Sequence, residues 1–123
     1  MNNSSNSKPV YDLEERTFQF ANHVRLVFKK IKQGLIIDED IKQLVKSSGS
    51  VGANYIEANE SLSKKDFVYR IKICRKEAKE SAYWLRLIVK QVDIQEILIE
   101  LKDLLQEAEE LKKIFSSIYE KSK

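Results

Sequence analysis

The chain has 123 residues, of which 42% are hydrophobic and 33% charged, with 22 Lys/Arg, 19 Asp/Glu, three Gly, one Pro and one Cys. That length fits one domain around a single core; the shortage of Gly and Pro argues for a nearly all-helical chain, and the lone Cys74 excludes an internal disulfide or a cysteine-based zinc site. No run reaches the roughly 18 apolar residues of a membrane span and no apolar leader stands before a cleavage site, so a soluble cytoplasmic protein without cofactor or metal is expected.

In chain order, MNNSSNSKP is polar with nothing to bury, and residues 1–10 are expected to form a disordered tail. Asp12 with Glu15 can cap a first helix over about 12–32, whose Leu13, Thr17, Phe20, Val24, Val27 and Ile31 recur at helical spacing. Gly34 suits a left-handed residue after it. Asp38 can cap a second helix over 38–60, with Ile41, Leu44, Val45, Ser48, Val51, Tyr55 and Ala58 inward. Ser63, with Asp66 in the first turn, opens a third over 64–92, carrying Phe67, Ile71, Cys74, Ala78, Ala82, Leu85, Val89 and Val92. Asp93 can cap a fourth over 94–119, with Ile94, Ile97, Leu101, Leu104, Ala108, Leu111, Phe115 and Ile118. Long amphipathic helices joined by short connections predict an all-α, antiparallel up-and-down four-helix bundle over residues 11–120.

Gly inside a helix costs about 1 kcal/mol relative to Ala, so Gly49 and Gly52 need a compensating role. Close approach of another helix, with an aromatic laid into the gap, is the simplest; a phosphate loop is not, because the G-x-x-x-x-G-K spacing and a preceding strand are missing. Asn54 and Glu57 share a helix face and can satisfy polar groups of the third helix or of a loop.

These residues carry a resemblance. Ser50-Val51-Gly52-Ala53-Asn54, Glu57-Ala58, Ser63-Lys64-Lys65-Asp66-Phe67, Lys76-Glu77, Glu80 and Tyr83-Trp84-Leu85-Arg86-Leu87 resemble the bacterial four-helix-bundle family encoded in intervening sequences of large-subunit ribosomal RNA genes. The resemblance spans most of residues 12–118 and is densest over 50–87. Gly52 stands where many members have proline and Ala58 where they have glycine, which marks a sub-branch. The resemblance implies a ring-shaped homopentamer, no enzymatic activity and a link to RNA. The chain is also similar to accessory bundle proteins of diversity-generating retroelements, which are thought to bind nucleic acid and a reverse transcriptase.

The third helix carries a second apolar stripe, Tyr69, Ile73, Trp84 and Leu87, roughly opposite its core face. A line of exposed aromatic and aliphatic residues fits an oligomer interface; the alternative is that neighbouring helices wrap it. Charge is also uneven: residues 62–92 hold nine Lys/Arg against three Asp/Glu, and residues 93–120 eight acids against three lysines. Lys65, Lys72, Lys79 and Arg86 repeat every seven residues, with Lys76 and Lys90 on the same side, a row about 32 Å long that nucleic-acid phosphates fit. The competing reading pairs it with Glu96, Glu100, Asp103, Glu107 and Glu110 of the fourth helix as surface salt bridges. No base-reading motif occurs.

Among catalytic arrangements, His23 and Cys74 read as structural, and Phe20 stands where a di-iron bundle needs Glu before His23. Arg16 and His23, seven apart, resemble the arginine–histidine pair of HEPN-class ribonucleases. The function expected is a non-enzymatic oligomeric binding module contacting RNA or a nucleoprotein partner; a protein scaffold without nucleic acid is the alternative, and a ribonuclease the remote one.

Overall fold

The computed structural model describes residues 12–123; the expected tail, residues 1–10, lies outside the described residues. Asp12 accepts a hydrogen bond from the Glu15 amide at 3.1 Å and starts α1, Leu13–Lys29. Ser63 does the same for the Asp66 amide at 3.1 Å and starts α3, Lys64–Val89. The other two starts differ from the expectation. In α2, Asp38–Asn59, the cap is Ile37 and Asp38 is the first helical residue; in α4, Gln95–Ser122, the cap is Ile94, not Asp93. In α2 the carboxylates of Asp38, Glu39 and Asp40 instead sit in the first turn, where the helix dipole favours them.

Two helices stop short of their expected ends. α1 halts at Lys29, and the chain turns through Gly34, at φ +92°, to bury Ile36. α3 halts at Val89, so that Gln91 can brace the corner: its amide donates to Asp40 Oδ2 at 2.8 Å and its Oε1 accepts from the Ile37 amide at 2.8 Å.

Each helix packs on the next, and α4 returns against α1. Cross-links fix the antiparallel order. Asn59 of α2 donates to Glu14 of α1 at 2.8 Å, and Arg25 of α1 reaches the Val45 carbonyl of α2 at 3.3 Å. Along the axis lie Phe20, Val24, Leu44, Val51, Ile71, Leu85, Leu101, Leu111 and Phe115, all buried. Tyr55 packs on Phe115 with ring centroids 5.6 Å apart. The periodicity missed two core features. Ile88 is fully buried while Val89 is only partly so, and the Ser47 and Ser81 hydroxyls pair at 2.8 Å inside the α2–α3 seam. Cys74 is buried with its thiol on the Val51 carbonyl, and burial pushes its pKa up to about 12. No described helix is long and apolar enough to cross a membrane.

At Gly52 α1 and α2 approach closely: a Cβ there would lie 3.0 Å from Thr17 Oγ1. The gap holds no aromatic ring, contrary to the expectation. Thr17, buried and folded back onto the Leu13 and Glu14 carbonyls at 2.9 and 3.0 Å, fills it, and Arg25 covers Gly49.

Candidate nucleic-acid interface

α3 and α4 leave a groove of about 560 Å³ on the outside of the bundle. Of the expected basic row, Lys72 and Lys79 line it together with Lys76, and they are joined by Arg75, Lys112, Tyr69, Ile73 and Ser116. Lys65 and Arg86 of α3 and Lys90 at its C-cap are exposed but outside the groove. Arg75 and Lys112 escaped the sequence reading. Arg75 follows Lys72 by three residues and precedes Lys79 by four, so helical spacing alone places it in the row; Lys112 comes from the acidic segment, whose net sign hid it.

The cations are held partly by Tyr119 of α4, whose ring centroid lies 4.8 Å from the Arg75 guanidinium and 5.7 Å from Lys72 Nζ. Lys76 has loose contacts with Glu77 at 3.6 Å and Glu80 at 4.0 Å, and Lys112 pairs with Glu109 at 2.9 Å. Among the described residues, no carboxylate lies within ion-pairing distance of Lys72, Arg75 or Lys79.

The acidic row of α4 does not neutralise α3; it faces α1. Arg16 grips Glu107 through Nε at 2.7 Å and Nη2 at 2.8 Å, and Nη2 also reaches Glu110 at 2.8 Å. His23 Nε2 lies 3.3 Å from Glu100, and Lys30 Nζ donates to Glu100 at 2.6 Å. Hydrogen bonds from Lys30 and then His23 lower the Glu100 pKa; those from Gln106 and then Arg16 lower that of Glu110. Both members of the pair that resembled a nuclease centre are therefore engaged by α4 carboxylates, Arg16 in ion pairs and His23 through its 3.3 Å contact with Glu100.

Helix phase explains the division. In α4 each acid, Glu96, Glu100, Asp103, Glu107 and Glu110, comes one residue before a core position, whereas Lys112 and Ser116 come one after. At 100° per residue these are opposite flanks of the core stripe. Neighbouring antiparallel helices are related by an approximate two-fold axis, so like flanks meet. Arg16 and His23 precede core residues and face the acids; Lys72, Arg75, Lys79 and Arg86 follow core residues and face the other way.

The second apolar stripe of α3 divides between two surroundings. Tyr69, 61% exposed, and Ile73 border the groove. Trp84 precedes core residue Leu85 and so leans toward α2, lining a recess with Gln43, Glu80 and Tyr83 and meeting Tyr83 edge-on at 5.1 Å. Leu87 and Tyr83 are 37% and 53% exposed. The small-residue and polar motif works locally. The Asn54 amide donates to the Ser50 carbonyl at 2.9 Å and accepts from Arg70 Nη1 at 2.9 Å, while Glu57 is exposed beside a recess containing Asp66, Tyr69 and Arg70.

Comparison with known proteins adds the family. A crystal structure of a protein of unknown function from the S23 ribosomal protein family of Bacteroides thetaiotaomicron is similar at 26% identity and a TM-score of 0.72, covering 87% of this chain and 97% of that one. No curated protein matches. The sequence model of the 23S rRNA-intervening sequence proteins matches residues 11–117. Most of the chain, including all of α1, α2 and α3, lies within that match, and the chain belongs to the 23S rRNA-intervening sequence protein family.

Proposed function

We propose that the chain is a non-enzymatic, self-associating helical bundle that holds RNA by its phosphates in the α3–α4 groove. The observation that carries this reading is the charge imbalance: Lys72, Arg75 and Lys79 stand together without carboxylate partners among the described residues, while Glu100, Glu107 and Glu110 of α4 are engaged by Lys30 and Arg16. The family name refers to ribosomal RNA, which makes RNA the first partner to test. Self-association, as a homopentameric ring, uses the exposed surface around Trp84, Leu87 and Tyr83, since aromatic residues are enriched at interface cores. A ring repeats the groove in every subunit and multiplies modest phosphate contacts through avidity.

A salt titration tests the RNA part. With three or more cations neutralising phosphates, log K should fall with log salt at a slope of about −2 or steeper. No binding at low salt by an intact oligomer would leave a protein scaffold in its place. For the assembly, sedimentation velocity of Trp84→Glu/Leu87→Glu should show monomer; an unchanged particle would remove this surface from the interface.

A further inference from the structure

From the shape of the groove we infer that it takes single-stranded rather than duplex nucleic acid, with a base stacked on Tyr69; this rests on the RNA reading above. The cations line a concave channel between two helices, and Tyr69 and Ile73 line it beside them. A duplex presents phosphates on a convex surface with its bases turned inward, and would leave both side chains unused. An unpaired strand offers phosphates and free base faces together, the chemistry met by a positive groove with an aromatic platform beside it.

Tyr69 has the attributes of such a platform. The residue is 61% exposed in a helix whose core face is elsewhere, so its position contributes little to folding. Arg70, whose guanidinium carbon lies 5.9 Å from the ring centroid, is held toward α2 by Asn54 at 2.9 Å and lines a neighbouring recess with Tyr69, outside the groove. From Tyr69 the row continues along α3 through Lys72, Lys76 and Lys79, the order in which a strand would lay successive phosphates after a stacked base.

Fluorescence anisotropy on the full chain tests this with labelled oligouridine of about twelve nucleotides, oligodeoxyuridine of the same length and an RNA duplex of equal length. Oligouridine should bind at least tenfold more tightly than the duplex. Tyr69→Ala should lose about tenfold for oligouridine and little for the duplex, and Tyr69→Phe should retain wild-type affinity, as expected for stacking. Weaker binding of the deoxy strand would assign the groove to RNA, and equal binding to either sugar; both fit the stacked strand. Equal affinity for duplex and single strand, with Tyr69→Ala silent, would overturn the inference and leave phosphate binding standing. Absence of binding by every probe at low salt would remove the RNA reading itself. A change of sedimentation coefficient in Tyr69→Ala that accounts for its lost affinity would reassign Tyr69 to assembly and also overturn the stack.

Discussion

The two seams of α4 are built from similar materials and end in opposite states. Toward α1, basic side chains every seven residues meet the acids: Arg16, His23 and Lys30 against Glu107, Glu110 and Glu100. Toward α3, an equally regular basic row meets Tyr119, Ser116 and Lys112. One seam is closed by ion pairs and the other is left cationic. Whether a charged row stabilises the fold or remains free for a partner is decided by the flank it occupies relative to the core, and local composition does not reveal it.

The largest effect that separates the seams should come from Lys72→Glu/Lys79→Glu, which is expected to weaken oligouridine binding about 100-fold while urea unfolding stays close to wild type. A large loss of stability instead would mean that the row serves the fold. Arg16→Ala should do the converse. It strands Glu107 and Glu110, lowers unfolding free energy by about 1 kcal/mol once solvent screening is allowed for, and leaves RNA affinity unchanged.

A smaller effect is expected of Tyr119→Leu, which removes the ring under Lys72 and Arg75. RNA affinity should drop only about two- to fivefold, the size of exposed cation–π contacts, as seen by the same anisotropy assay. Smallest is the titration of the α1 seam. A carboxyl held below its unfolded value adds stability that is complete above about pH 5 and disappears as pH falls through the lowered value. Lys30→Ala, by raising the Glu100 pKa back toward that of the unfolded chain, should therefore unfold more easily than wild type at neutral pH, with the two urea curves converging in acid. A gap that persists in acid would assign the effect of Lys30 to something other than this ion pair.

Much of this architecture was legible in the residues. The core stripe of α1, that of α4 except for Ile94, which is 41% exposed at the cap, the caps at Asp12 and Ser63 and the close approach at Gly52 follow from spacing and side-chain size. The competing pairing of the charged rows could not be decided from 4/3 spacing, which locates a row on a helix without saying which neighbour it faces. The missing signal was present: an acid one residue before Leu104 or Ala108 and a lysine one residue after Ile71 or Ala78 occupy flanks that never meet in an antiparallel pair. The same rule brings Asn54 to Arg70 and Ser47 to Ser81, and turns Trp84 toward α2. The groove was harder to foresee. It needs Arg75, Lys112 and Tyr119 together, and nothing in the local sequence of α4 links a lysine in an acidic stretch to the basic helix before it.

Cys74 gives the molecule a reporter it did not need to be given. A thiol sealed at the α2–α3 seam and raised to about 12 has almost no thiolate at neutral pH. Alkylation of this protein should accordingly proceed only through openings that part those two helices, so its rate counts how often the bundle breathes, and bound RNA, if it clamps α3, should slow that count.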